Sequence, residues 1–439
     1  MVVGHTEPFY LENIVRQGSV YGPQICIATM DKINLLGKDV VTYYGPSLPI
    51  KAVTFIDDVS GAGGGKVANN LINNCNIMEE RKKMTFNNKN SKTEYMVIGS
   101  FEEEILTVTN EVKNGRIEKV PEHRMLGTWF DESGEYGINI TKKKGKLQYM
   151  ICTTKNEANP KNVGKFAADA RIKLSEVVVI PSLLYNAEAF NYYTEKEMQQ
   201  LERIQHTILT GILEIPSSTP YYALLMEIGW WTMEGRLAYK KLMLYHNIVT
   251  SDDRRVIKNI VKAQKHLNRS TTWYSSVKKE MSRYGIEIEA ETVLKSKWKK
   301  HVKGKIGEKM EEEIRKECAD MSKARTVRNG SYEKKAYFST VNFQNTKKIL
   351  KTRLHMSKLP GNYKGRGEGT CSLCNLEKGN TEHYFQCPRV SQLKDAWEVQ
   401  QSDLQSTDDK RLIAVANFFE KVEIMIEPMN IMKKKSKKK

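Results

Sequence analysis

Apolar and polar positions recur with different periods along this chain, and each change of period marks a predicted element. Val53, Thr54, Phe55 and Ile56 form a short β-branched and aromatic run, the composition of a strand. The adjacent carboxylates Asp57 and Asp58 follow it, and Gly61-Ala62-Gly63-Gly64-Gly65 predicts a turn or loop. Upstream, the stretch from Val15 through Gln17, Gly18 and Pro23 reads as a glycine-bearing loop. It feeds a helix through Ile25, Ile27, Ala28, Met30 and Ile33, with the proline near the first turn, where its missing N–H costs nothing. Downstream, a polar helix-like stretch from Ala68 to Lys83 leads to Phe86 and then to the segment Ser91 to Gly99, which contains Lys92-Thr93. Residues His123 to Phe130, a turn at Asp131-Glu132-Ser133-Gly134, and the alternating Tyr136, Ile138 and Ile140 predict a hairpin.

The period then becomes helical. Lys142-Lys143-Lys144-Gly145-Lys146 breaks the composition. Further on, Thr194-Glu195-Lys196-Glu197 is a capping box that ties off the first N–H groups of a helix. Met198, Leu201, Ile204, Ile208 and Ile212 give that helix one apolar stripe, and Pro216 stops it. A second helix starts at Thr219-Pro220 and ends at Gly229, and a third runs from Thr232 to about Val249. These stripes read as bundle core, with one of Trp230 and Trp231 inside and the other at its edge. From Ser251 to about Ser357 the chain is polar. Lys295, Lys297, Lys299, Lys300, Lys303 and Lys305 cluster there around Trp298, a pattern suited to gripping a nucleic-acid backbone and stacking once on a base.

Charge adds to this picture. With 70 basic against 52 acidic side chains the 439-residue chain carries a formal +18, which favours a polyanionic partner. A chain of this length is expected to hold two to four domains. No run of 18 apolar residues occurs and no basic-then-apolar leader opens the sequence, so an intracellular location without membrane partners is expected. Seven cysteines, an odd number, favour thiols and a metal over a disulfide framework. Four chemistry-bearing residues are spaced Cys371-x2-Cys374-x8-His383-x3-Cys387. Three thiolates and an imidazole suit tetrahedral Zn²⁺ and leave no open position, so the site is structural, with Gly379 and the glycine-rich approach from Gly361 to Gly369 allowing tight turns. A phosphate-loop reading of the glycine run fails, because Ser60 stands where the first glycine is needed and Val67 follows Lys66. The lysine-rich end, Lys433 to Lys439, is read as a disordered tail that serves as an import signal or an electrostatic tether.

The order of these motifs carries a resemblance. A Gln-Gly-x-x-x-x-Pro loop, a Phe-Ile-Asp-Asp strand, a Lys-Thr strand, a Leu-Gly hairpin, a helix–Ser-Thr-Pro–helix–Gly-Trp segment and a Cys/His knuckle follow one another. Together they resemble the reverse transcriptase (RNA-directed DNA polymerase) of eukaryotic non-LTR, LINE-like retrotransposons, from about Val15 to Val390. The resemblance implies an α+β fold: a partial polymerase palm over residues 1–150, with an antiparallel sheet plus helices, a helical thumb over 151–250, a basic helical connector over 251–360, a zinc knuckle over 361–395 and a C-terminal segment over 396–439. It implies that Asp57 and Asp58 hold Mg²⁺, that Lys92 serves the triphosphate, that Gln17, Gly18 and Phe55 border template and nucleotide, and that Leu126 and Gly127 grip the primer. Its partners would be an RNA template, a DNA primer and deoxynucleoside triphosphates, in the nucleus. Tyr21-Gly22-Pro23 departs from the usual Leu-Ser-Pro, and the glycine run after Asp58 is expected to loosen the return strand. The family also needs an upstream aspartate, and the 14 residues before Val15 contain none. The chain is therefore expected to act as a C-terminal portion, inactive alone and completed by a separate N-terminal polymerase portion, or to serve as a non-catalytic nucleic-acid-binding protein.

Overall fold

The computed structural model describes residues 53–55, 58–60, 75–77, 94–97, 111–112, 115–116, 118–267, 269–362 and 369–436. Gln17, Gly18, Asp57 and Lys92 lie outside them. The chain divides into two compact units, Met1–Ile138 with Asn247–Lys278, and Asn139–His246 with Lys279–Lys439. The described part is mostly helical, and none of its helices is long and apolar enough to cross a membrane.

In the first unit the strands pair two by two among the described residues. β1 (Val53–Phe55) pairs antiparallel with β2 (Asp58–Ser60), Phe55 opposite Asp58 and Val53 opposite Ser60. A return strand thus exists before the glycine run begins. β3 (Glu94–Tyr95) pairs with β6 (Glu118–Lys119), and this pair is parallel. β4 (Glu111–Val112) pairs with β5 (Gly115–Arg116).

β7 (Glu122–Met125) and β8 (Thr128–Asp131) form a hairpin within the stretch expected to be a single strand, in place of the hairpin expected around residues 131–134. Met125 faces Thr128, so the turn residues are Leu126 and Gly127, at φ +46° and +84°. Positive φ at both central positions is the two-residue turn whose twist matches a hairpin. The turn at Asp131–Gly134 also forms, with the Ser133 amide donating to the Asp131 carboxylate at 3.0 Å. It leads into helix α1 (Gly137–Lys144) rather than into a strand. Positions 136, 138 and 140 fit period two, but positions four apart also share a helix face. The adjacent Asn139 and Ile140 are both buried, which strand alternation forbids. The remainder of this unit includes α8 (Val256–Leu267), numbered after the helices of the second unit that precede it, and the first part of α9 (Trp273–Arg283).

The second unit is a helical assembly. α2 (Leu147–Glu157), in which the expected boundary at 150 falls, packs with α3 (Ala167–Leu174) against α5 (Glu195–Leu213). A π-helical turn, Ser175–Val179, links α3 to α4 (Ile180–Leu183). α5 has the predicted capping box, the Thr194 hydroxyl accepting from the Glu197 amide and the Glu197 carboxylate accepting from the Thr194 amide at 2.8 Å. Its stripe is buried at Leu201, Ile204, Ile208 and Ile212. Arg171 caps the far end, donating to the Ile212 carbonyl at 2.9 Å.

α6 (Tyr221–Ile228) ends at Gly229 in the left-handed conformation, and α7 (Met233–Val249) follows. Trp230 is buried and Trp231 half-buried, as their sequence context predicts. α10 (Lys295–Ala319) packs against α6, and it corrects one expectation. Trp298 is completely buried, its indole N–H donates to the Leu242 carbonyl at 3.2 Å and its ring stacks on His246. It is a core residue and cannot stack on a base. α11 (Phe343–Arg353) lies against α13 (Asp409–Ser436). α13 takes in Lys433–Ser436, so the first part of the lysine tail continues a helix instead of being disordered.

Candidate metal centre

The segment 369–387 brings four predicted ligands to one point. A tight β-like turn comes first: Thr370 bridges Lys378, the Cys371 amide donates to the Glu377 carbonyl at 2.7 Å, and the Gly379 amide donates to the Gly369 carbonyl at 2.8 Å. This turn is possible because Gly379 has no side chain: a Cβ there would lie 2.8 Å from the Cα of Cys371. α12 (Thr381–Gln386) begins immediately after. Asn380 caps it, its side-chain oxygen accepting from the His383 amide at 2.9 Å. One turn of helix then carries the chain from His383 to Cys387.

The ligand atoms of Cys371, Cys374, His383 and Cys387 all lie within 4.8 Å of one another, so the group could hold a metal ion. A tetrahedral ion bound about 2.3 Å from each thiolate requires sulfurs about 3.8 Å apart. The Cys371 and Cys387 sulfurs are separated by 3.9 Å, and Cys374 Sγ lies 3.3 Å from His383 Nε2. Burial works against a charged Cys371 thiol, but the Tyr384 hydroxyl and the Cys374 and Leu373 amides directed at its sulfur outweigh it and hold the thiol below its ordinary range. Burial pushes the Cys387 thiol up. The Leu376 amide lies 3.5 Å from Cys374 Sγ and supports that sulfur as well.

Glu377 completes the arrangement and was not signalled by the ligand spacing. Its carboxylate is 3.3 Å from His383 Nδ1, on the side of the ring away from the sulfurs. A carboxylate on Nδ1 fixes the imidazole orientation and leaves Nε2 for the ion. A carboxylate placed between the second cysteine and the histidine is the signal that could have found it.

The centre is seated on a large apolar core. Cys371, Tyr384, Phe385, Cys387 and Val390 pack with Val415, Phe418, Phe419, Val422 and Ile426 of α13. Phe385 stacks on Phe418 and meets Phe419 edge-on at 5.2 Å. The module therefore extends well past the 361–395 span that the motif suggests.

The other predicted site is placed only in part. Phe55 and Asp58 are cross-strand partners at the end where β1 leaves off and β2 begins, and Leu126 and Gly127 form the β7–β8 turn. Among the described residues, the Cys/His group is the one cluster with the geometry of a metal site. No protein-family model, no curated protein and no solved structure matches this chain.

Proposed function

We propose that this chain is the catalytic-hairpin, thumb and zinc-module portion of an RNA-directed DNA polymerase of the non-LTR retrotransposon kind. The observation that carries the reading is the pairing of Phe55 with Asp58. That pairing is what a strand–Asp–Asp–strand ribbon requires, and in this reading its carboxylates hold Mg²⁺ while leaving room for phosphate oxygens. The order of the later elements supports it: a Leu-Gly hairpin turn, a capped helical bundle, then the Cys/His module.

In this reading the primer 3′-hydroxyl gives its proton to solvent as its oxygen bonds to the innermost phosphorus of a deoxynucleoside triphosphate, and pyrophosphate leaves with the electrons of the broken P–O bond. Asp57 and Asp58 hold Mg²⁺, Lys92 serves the leaving pyrophosphate, and Leu126 and Gly127 support the primer end. The Cys/His centre takes zinc in a structural role. Two-metal chemistry needs more carboxylates than this pair, so the chain alone is expected not to polymerise.

Mn²⁺ titration followed by electron paramagnetic resonance tests the proposal, using an RNA–DNA primer–template and a deoxynucleoside triphosphate. A nucleotide-dependent Mn²⁺ site is expected in the native chain and is lost in Asp57→Ala and in Asp58→Ala, with RNA–DNA binding unchanged. Equal Mn²⁺ binding in all three chains overturns the polymerase reading. A second reading, non-catalytic nucleic-acid binding, is favoured by the exposed lysines of α10. It predicts RNA–DNA binding with no such Mn²⁺ site.

A further inference from the structure

We infer that the N-terminal half of α10 is a docking ridge for the phosphate backbone of a nucleic-acid double helix, formed by Lys297, Lys299, Lys300 and Lys303 around Gly304. The inference rests on the nucleic-acid reading above and deepens it. It begins with how the helix is held. Trp298, Val302, Ile306, Met310, Ile314 and Cys318 recur every fourth residue and are all completely buried. One side of α10 is thereby fixed in the core, and the other side faces solvent at a fixed orientation.

On that other side the charges are segregated. From Lys295 to Lys305 the helix contains six lysines and no acid. Lys295, Lys297, Lys299, Lys300 and Lys303 are exposed, and none has an ion-pair partner among the described residues. Beyond them the pattern changes to the one that a solvated helix normally has: Lys309 pairs with Glu312 at 2.8 Å, Arg315 with Glu311 at 2.6 Å, and Arg283 with Glu313 at 3.2 Å. Interleaved charges stabilise an exposed helix, whereas like charges three or four positions apart oppose it. The first half carries such like pairs at 295/299, 297/300, 299/303 and 300/303. A polyanion laid along the ridge converts that repulsion into attraction.

Gly304 is a second, separate observation. It is exposed in mid-helix, and a Cβ added there would meet nothing within 4 Å, so no internal packing requires a glycine. Glycine is a poor helix residue compared with alanine. Its position, four residues after Lys300 and seven after Lys297, places it on their strip of the helix. A bare position among lysines lets a sugar–phosphate chain approach the helix backbone closely.

The occupant follows from what the ridge lacks. Single strands are held largely by bases stacked on exposed aromatic rings. The one aromatic of the ridge segment, Trp298, is buried and hydrogen-bonded to Leu242. Contacts to phosphate alone fix position and carry no sequence information. From Lys297 to Gly304 the ridge runs about 10 Å along the helix axis, against a phosphate every ~3.4 Å of axis on each strand of a duplex.

Binding of the full chain to a fluorescent RNA–DNA duplex, measured by anisotropy over a range of salt concentrations, tests the inference. In the triple variant Lys297→Gln, Lys300→Gln, Lys303→Gln the slope of log affinity against log salt is expected to fall by roughly 2.7, at about 0.9 per contact. Its melting temperature should stay native, and the corresponding Lys→Arg triple should bind as the native chain does. Gly304→Gln is expected to weaken binding without lowering the melting temperature. An unchanged slope in the Gln triple, with the native chain still binding, overturns the ridge and leaves the nucleic-acid reading intact. If the native chain binds no nucleic acid, both fall. Equal affinity and equal slope loss with a single strand of the same length overturn the duplex assignment. A matching loss on phosphatidylserine vesicles overturns it too, because the occupant is then a membrane surface.

Discussion

Glu227 keeps a carboxylate in the interior with no exposed surface, and its neighbours explain how. Arg353 forks onto it, Nε to Oε2 at 3.0 Å and Nη2 to Oε1 at 2.9 Å, while the Tyr337 hydroxyl donates to Oε2 at 2.5 Å. Arg353 also donates to the Leu404 carbonyl, so one guanidinium ties α6 and α11 to the segment before α13. Removing one member of such a pair leaves a buried charge without its counter-charge. Arg353→Met is expected to cost about 3–5 kcal/mol in urea unfolding, and Arg353→Met with Glu227→Leu should recover most of it. His355 gives a pH-dependent counterpart. Burial, and then the Arg325 charge, lower its pKa from 6.5 to about 4, while its Nε2 lies 3.0 Å from the Thr326 hydroxyl and its Nδ1 4.0 Å from Glu382. The unfolded chain therefore takes up this proton first as pH falls. The histidine's contribution is intact above about pH 6.5 and declines toward pH 4, by an amount on the order of 3 kcal/mol. Melting curves should show that part of the acid sensitivity missing in His355→Asn, which keeps a residue type suited to the left-handed backbone found there. Neither site was legible in the sequence. Glu227 and Arg353 are 126 residues apart, and each alone looks like a solvated helix residue.

At the scale of elements, legibility depended on whether the signal was local. The capping box at Thr194, the stripe of α5 and the stop of α6 at Gly229 are written within a few residues, and all were read correctly. The β7–β8 turn is hard to locate from sequence because the first of its two positive-φ residues is Leu126, a type that rarely announces one. For Trp298 the informative signal is the four-residue repeat that it begins, not the lysines beside it. Val302, Ile306, Met310, Ile314 and Cys318 continue that repeat, and it marks a buried face. Trp298→Ala is accordingly expected to destabilise the second unit by about 3–5 kcal/mol. Trp298→Phe, which removes the indole hydrogen bond and part of the ring volume, should cost about 1–3 kcal/mol. Equilibrium unfolding measures both, and duplex affinity of the folded Phe variant should equal that of the native chain.

For the whole molecule, the metal centre matters beyond its four ligands because its core is shared with α13. Ligands must converge and lose protons for an ion to bind, so metal binding and folding of this module are one process. Chelation is expected to raise hydrogen exchange across 369–426, α13 included, while the capped helix α5 keeps its protection. The ligand pattern was readable from spacing alone, but the apolar half of the module was not. Phe418, Phe419, Val422 and Ile426 lie some thirty to forty residues beyond Cys387, in a helix with no metal-binding chemistry. That separation imposes a timetable on synthesis. The cysteines and histidine leave the ribosome before the aromatic residues that cover them from below. A nascent chain thus carries a complete set of ligands with no completed core, and so does any message cut by a premature stop between Cys387 and Phe418. Such a product keeps the sequence motif intact yet lacks the stable centre, so the reading frame of α13 decides whether the motif becomes a folded module.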